Sequence, residues 1–201
     1  QEPLTLNVFT DSSKEAYGAV GIFVTADGKR SFIAGKGRVI NKKKPPTIPR
    51  GELQALIVGM RLLENTLEQL EGYVNVVKII AWVDSAVVLC WTRNREEVYK
   101  EFVANRLAEV FEIFDRYKDL NPEIRWVPTD QNPADLISRS CDGATMKEKL
   151  KFWTTGPDFL SLPPEQWPVF PGEQFKPEDL LVEQALVAAV VPSVEKYEDF
   201  N

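Results

Sequence analysis

Hydrophobic and polar residues alternate along the first 40 positions in three short runs. Residues 4–10 alternate, residues 19–24 form a second, mostly apolar run, and residues 30–39 form a third run. The Ala-Asp-Gly-Lys segment at 26–29 has the residues of a hairpin turn. Three consecutive short strands joined by tight turns predict an antiparallel meander.

Helical spacing replaces this alternation after a basic, proline-bearing loop at residues 41–49. Residues 52–64 are rich in helix formers and apolar on one side, which predicts the first long helix. Residues 74–83 are almost continuously apolar and predict a fourth strand, central and buried on both faces. Residues 85–93 and 100–117 have helical spacing again.

A short fifth strand is predicted at residues 123–128, and a helix over 132–139, where Pro133 suits the first turn. The order of three strands, helix, strand, helices, strand and helix predicts an α/β fold with a five-stranded mixed sheet flanked by helices.

The composition of the sequence changes after Cys141. Paired aromatic and proline residues predict an extended segment held against the domain by aromatic anchors, and residues 177–191 predict one more apolar helix or strand. We therefore divide the chain into a domain at residues 1–141 and a C-terminal extension or connector at residues 142–201.

Charge is distributed unevenly between these parts. The formal net charge is −6, and residues 142–201 carry all of the acidic excess, while residues 1–140 contain equal numbers of acids and bases. If four of those acids bind metal, the rest of the domain has a modest positive balance, which is compatible with a phosphate-rich partner, although composition alone fits an ordinary acidic protein equally well. No run approaches the roughly 20 apolar residues of a membrane span, so no membrane partner is expected. The absence of an initial Met suggests a piece of a longer protein.

Cysteine and histidine usage narrows the chemistry. Cys90 and Cys141 have neither metal-ligand spacing nor the density of a disulfide scaffold, which suits a reducing intracellular compartment. The chain has no histidine. Serine–histidine and cysteine–histidine dyads, histidine-ligated zinc and a histidine general base are thereby excluded. Any chemistry must depend on carboxylates, or on metals that carboxylates hold.

Four acids lie at the ends of predicted elements. Asp11 and Asp84 end the first and fourth strands, and Glu52 and Asp135 begin helices. Each acid alone has an ordinary interpretation as a turn residue, a helix cap or a first-turn acid. Taken together, the four converge if the first and fourth strands are neighbours in the sheet.

Clustered carboxylates repel one another, and divalent cations relieve that repulsion. Oxygen ligands with open positions for water and phosphate suit Mg²⁺ or Mn²⁺. Two such ions about 4 Å apart activate a water on one side of a phosphodiester and stabilise the leaving oxygen on the other. This mechanism needs no histidine.

These acids lie within motifs that resemble a known family. Residues 10–20, 47–56, 82–91 and 132–139 are similar to the four motifs of ribonuclease H domains in LTR retrotransposon reverse transcriptases. The motif sequences are most similar to those of the BEL/Pao branch. In that branch, residues 102–106 and 126–129 also have counterparts, as do Trp153, Gly156, Pro157 and Leu160. The resemblance covers about residues 4–167.

The resemblance implies a ribonuclease H-like fold and an endoribonuclease that cuts the RNA strand of RNA–DNA hybrids. It implies that Asp11, Glu52, Asp84 and Asp135 are the catalytic acids that bind two Mg²⁺ or Mn²⁺ ions. Cellular relatives carry a catalytic-loop histidine that this chain lacks, as in some retrotransposon members, which bears on product release more than on hydrolysis. The implied partners are the hybrid and the polymerase and integrase domains of the same polyprotein. The implied location is the cytoplasm, in virus-like particles, and the nucleus.

Further residues are candidates for contact with the hybrid: Ser12, Arg50, Ser85, Asn105 and Arg139. Ser12 and Ser85 are interpreted equally well as caps, and Lys42, Lys43 and Lys44 as a solvated loop. We expect Trp82, Trp91 and Trp126 to be core residues rather than stacking platforms.

Two alternatives remain open. The first is a catalytically inactive or domesticated ribonuclease H-like module with a structural or interaction role, which the near-zero charge of residues 1–140 favours and the intact acids oppose. The second is a related polynucleotidyl transferase such as an integrase core, to which the four acids fit less well.

Overall fold

A five-stranded mixed sheet forms the centre of the computed structural model, which describes residues 1–172. The strands are β1 (Pro3–Ser12), β2 (Ala16–Thr25), β3 (Arg30–Val39), β4 (Asn75–Val83) and β5 (Glu123–Trp126). Their order across the sheet is β3-β2-β1-β4-β5. β1, β2 and β3 pair antiparallel, and β4 pairs parallel with β1 and with β5. The predicted meander and mixed sheet are confirmed.

Helices supply the crossovers that parallel pairing requires. They are α1 (Ile48–Gln69), α2 (Ala86–Arg93), α3 (Glu101–Arg116), α4 (Asp135–Ser138) and α5 (Gly143–Thr155). α1 begins four residues before the predicted start because Pro49 is accommodated in its first turn, where a missing N–H costs nothing. α4 is shorter than predicted, since residues 132–134 lead into it without being helical.

One face of the sheet packs against α1, α2 and α3. Leu56, Met60 and Leu63 of α1 are fully buried against Leu6 and Val8 of β1. α1 approaches the sheet closely at Gly59, where a Cβ atom would lie 2.5 Å from Thr10 Cγ2. This contact fixes the height of the helix above the strand that ends at Asp11.

The second face is covered by the segment that follows α4. Trp82 lies between Phe9, whose ring centroid is 5.7 Å away, and Phe159 and Trp167, at 5.0 and 5.5 Å. Arg30 holds this segment at its other end by donating to the Pro157 carbonyl at 2.8 Å. Trp82 and Trp91 are fully buried and Trp126 is half-buried, as expected of core residues.

Two expectations are corrected. Residues 143–155 form helix α5 rather than extended chain, because the Asp142 side chain caps Thr145 N at 2.7 Å and residues 146–151 are all good helix formers. The first half of β4 is not buried on both faces: Val77 is 44% exposed, since β5 pairs only with residues from Ile80 onward.

The predicted element at residues 177–191 lies outside the described residues, and the division at Cys141 stays a prediction. Within the described part of the chain, no helix combines the length and apolar character needed to cross a membrane.

Candidate active site

The parallel pairing of β1 with β4 places two acids side by side. Thr10 and Val83 form the last pair in the register, so Asp11 and Asp84 follow at the same edge of the sheet. The Thr10 hydroxyl donates to the Trp82 carbonyl at 3.0 Å and ties the two strand ends together. The expected neighbouring position of Asp11 and Asp84 follows from this pairing.

Glu52 reaches the same point from the second turn of α1. The preceding residue, Gly51, lets the helix approach β1, because a Cβ atom there would lie 2.6 Å from Ser12 Oγ. The Glu52 carboxylate accepts a hydrogen bond from the backbone N–H of Ser12. One carboxylate oxygen from each of Asp11, Glu52 and Asp84 lies within 4.8 Å of the other two.

Burial raises the pKa of all three carboxyls, and the charges of neighbouring acids add to each shift. Desolvation, followed by the charges of Asp84 and Asp11, raises the pKa of Glu52 to about 10. Desolvation and the charge of Asp11 raise the pKa of Asp84 to about 7. Desolvation also raises the pKa of Asp11, although a hydrogen bond from Ser138 opposes the shift. The ionised forms of these carboxylates are destabilised by their surroundings. A divalent cation bound between them would stabilise the ionised forms, and oxygen donors of this kind suit such a cation.

Asp135 is adjacent to this trio and not part of it. It begins α4, and its charge acts on Asp11, but its oxygens lie outside the group formed by the other three acids. Its Oδ1 atom pairs instead with Arg139 Nε at 2.5 Å, one helical turn away. Of the four acids expected to converge, the structure therefore brings three together.

The trio lines an open groove of about 1150 Å³. Three of the predicted contact residues line it with the acids: Ser12, Ser85 and Arg139. Two cations also line it, Lys14 and Lys42. Ser85 additionally caps α2 by accepting from Val88 N at 3.3 Å, so the cap interpretation holds for it whatever its contact with substrate.

The other two predicted contact residues lie outside the groove lining. The Arg50 guanidinium stacks over the Phe102 ring, 4.7 Å from its centroid. Asn105 is exposed on α3. A role for either in binding the hybrid stays a prediction and requires a hybrid that extends across α1 and α3.

Three residues that sequence reasoning missed support the acids. Asn132 is buried and donates to the Thr10 carbonyl at 2.9 Å. The buried Ser138 hydroxyl donates to Asp11 Oδ2. The Thr129 side chain hydrogen-bonds Asp84. The available signal was the Asn-Pro step at 132–133, which is typical of a turn whose asparagine side chain binds backbone.

Comparison with known proteins bears on the first half of this site. Residues 1–85, which contain Asp11, Glu52 and Asp84, match the family model of the Pao retrotransposon-like RNaseH-like domain. No curated protein is significantly similar to the chain.

Several solved structures are similar to the chain. RNase H1 from the archaeon Halobacterium salinarum is 18% identical, with 67% of this chain and 93% of that one covered and a TM-score of 0.48. The N-terminal RNase H domain of a Mycobacterium tuberculosis protein, solved as a maltose-binding-protein fusion, is 16% identical. The similarity covers 75% of this chain and 98% of that one, with a TM-score of 0.47. The protease–reverse transcriptase of prototype foamy virus is 12% identical. The similarity covers 79% of this chain and 20% of that one, with a TM-score of 0.39.

The five-stranded mixed sheet flanked by helices has the predicted fold class, and its order β3-β2-β1-β4-β5 makes the first and fourth strands neighbours, with acids at the ends of β1 and β4 and near the start of α1. The chain therefore has the ribonuclease H-like fold, and over residues 1–85 its resemblance to the Pao retrotransposon ribonuclease H-like domain is confirmed.

Proposed function

We propose that this domain is an endoribonuclease that cleaves the RNA strand of RNA–DNA hybrids by metal-dependent hydrolysis. The observation that carries the proposal is the convergence of Asp11, Glu52 and Asp84 on one point of an open groove. One buried and two half-buried carboxylates with raised pKa values are unfavourable neighbours, and the folded chain nevertheless keeps them together.

The donor set suits Mg²⁺ or Mn²⁺, and the proposed site holds two ions. Asp11, Glu52 and Asp84 are the proposed ligands at the centre, and Asp135 is the fourth. When bound, such ions provide Lewis acidity at the scissile phosphate and an activated water. The protein itself orients the ligands: the β1–β4 pair fixes Asp11 and Asp84, and the Ser12 N–H holds the Glu52 carboxylate.

The walls of the groove provide the proposed contacts with the hybrid. Lys14, Lys42 and Arg139 present cations to backbone phosphates, and the Ser12 and Ser85 hydroxyls lie beside the acids. Discrimination of RNA from DNA requires contact with 2′-hydroxyls on the cut strand, and these serines directly follow Asp11 and Asp84 in the chain and line the same groove.

We further propose that the domain acts within a retrotransposon polyprotein, beside the polymerase and ahead of the integrase, in virus-like particles in the cytoplasm and in the nucleus. The match to a retrotransposon family model over residues 1–85 supports this context.

Hydrolysis of a labelled hybrid tests the function directly. We expect the chain to release RNA fragments from an RNA–DNA hybrid in Mg²⁺ or Mn²⁺, and to leave double-stranded DNA intact. Asp84→Asn should reduce cleavage to background, while Asp115→Asn, which changes an exposed aspartate of α3, should not. The proposal fails if the wild-type chain does not cleave, or if Asp84→Asn cleaves equally well.

A second candidate function is the inactive ribonuclease H-like module. The ion pair between Asp135 and Arg139 favours this candidate, because a carboxylate paired with an arginine is less available to bind a metal ion. Mn²⁺ titration separates the two functions: an inactive module should bind the ion weakly or at one site, whereas the nuclease should bind two.

A further inference from the structure

The segment after β5 clamps the end of β1 at two consecutive residues. The Asn132 amide donates to the carbonyl of Thr10 at 2.9 Å, and the Ser138 hydroxyl donates to the carboxylate of Asp11. Both side chains are only 1% exposed. Buried hydroxyl and amide groups form these bonds because a buried polar group without a partner destabilises the fold.

Ser138 is itself held from two sides. Its backbone N–H donates to the Ala134 carbonyl at 3.2 Å, and its own carbonyl accepts from the Ser13 hydroxyl. The serine is therefore fixed both to the turn that contains Asp135 and to the turn that follows Asp11. The hydroxyl donates to Asp11 Oδ2, and its other acceptor is the Asp135 carbonyl of the same turn, at 3.3 Å.

We infer that Ser138 is a positioning residue that holds the Asp11 carboxylate in the orientation required to bind a divalent cation together with Glu52 and Asp84. This inference rests on the proposed function, because it requires the metal site. The charge of Asp11 repels the neighbouring carboxylates of Glu52 and Asp84, which favours rotation of the Asp11 side chain away from them. A buried donor behind the Asp11 carboxylate opposes that rotation. Donors behind a metal ligand typically strengthen metal binding about 10–100-fold.

Mn²⁺ binding to the full chain, measured by titration calorimetry, tests this role. Ser138→Ala should weaken Mn²⁺ binding about tenfold, and Ser138→Thr, which keeps the hydroxyl, should restore most of it. Cleavage of a hybrid by Ser138→Ala should be lost at low Mn²⁺ and recover as Mn²⁺ is raised, because the ligands themselves remain. Thr66→Val removes another buried hydroxyl, one that donates to the Leu62 carbonyl at 2.7 Å in α1, and should leave Mn²⁺ binding unchanged.

Each outcome has a distinct meaning. If Ser138→Ala binds Mn²⁺ as tightly as the wild type, or if Thr66→Val weakens binding equally, the positioning role is overturned. If the wild type binds Mn²⁺ and does not cleave, the proposed function fails and the positioning role is still decided by the affinities. If the wild type binds no Mn²⁺, both fail.

Discussion

At the scale of single residues, the acids of the groove oppose the stability of the metal-free fold. Desolvation and the neighbouring charges raise the pKa of Glu52 to about 10 in the folded chain, against an ordinary value of 4.5. A carboxyl whose pKa is raised by folding stabilises the fold below the unfolded pKa, and that contribution is lost as the pH rises through the folded pKa. The free energy of unfolding of the metal-free protein should therefore decrease between about pH 4.5 and pH 10.

Glu52→Gln should remove much of this decrease. Without divalent ions, we expect the variant to be more stable than the wild type at pH 8, by about 1–3 kcal/mol, and no more stable at pH 4.5. Chemical denaturation in EDTA across this pH range measures the difference. Glu68→Gln, which changes an exposed glutamate of the same helix, is the control. Equal pH dependence in Glu52→Gln and wild type would contradict the argument.

The positions of the acids were predictable where they depended only on which end of a strand or helix each acid occupies. Asp11 and Asp84 end strands, and Glu52 begins a helix, so a guess about strand order was enough to bring them together. Ser138 and Asn132 were not predictable, because their partners lie more than 120 positions away along the chain. Asp135 was placed correctly in its helix, but its pairing with Arg139 depends on side-chain geometry that spacing does not specify.

At the scale of elements, the site depends on how closely α1 approaches β1. Gly59 makes this approach possible, since a Cβ atom there would lie 2.5 Å from Thr10 Cγ2 and 3.1 Å from Val8 Cγ1. The helix therefore accepts a residue of poor helix propensity in order to bring Glu52 over the end of the strand.

Gly59→Ala should destabilise the protein although alanine favours helices. Overpacking against β1 costs about 1–3 kcal/mol, against a gain of up to about 1 kcal/mol in helix propensity. Thermal and chemical unfolding measure the balance. Asn65→Ala, at an exposed position of α1, receives only the propensity gain and should be neutral or slightly stabilising. A stabilised Gly59→Ala variant would show that the helix can move outward without cost.

Elements with strong periodicity were predicted well, and weakly patterned ones were not. The three-strand meander, α1 and α3 have clear periods and β4 has a continuous apolar run, and the observed bounds differ from those predicted by a few residues. α5 was missed because it has no buried residue, so no apolar stripe distinguishes it from irregular chain. Its start is marked only by the Asp142 cap.

At the scale of the whole molecule, the residues after Cys141 complete the hydrophobic packing on the second face of the sheet. Among the described residues, Phe159 and Leu160 are buried on the face of the sheet that contains Phe9 and Trp82. The ion pair of Arg30 with Asp158, at 2.9 Å, is on the surface and adds little, whereas its bond to the buried Pro157 carbonyl anchors the chain. Packing against the domain was expected of this segment, and its contribution to folding is open to test.

A chain that ends at Cys141 should lose cooperative unfolding or unfold at markedly lower denaturant, because Trp82 and Phe9 would be exposed to water. In the full chain, Trp167→Ala should cost about 1–3 kcal/mol, since its ring lies 5.5 Å from that of Trp82 and 4.9 Å from the Arg125 guanidinium. Val169→Ala, at a position 80% exposed, should change the free energy of unfolding by less than about 0.5 kcal/mol. Denaturant titration, with binding of a hydrophobic dye as a second readout, measures these effects. If the chain ending at Cys141 unfolds as cooperatively as the full chain and binds no dye, residues 1–141 are a self-sufficient domain. If it does not, the folding unit extends past the predicted boundary, and the acids of the groove are held by a sheet that needs both of its faces covered.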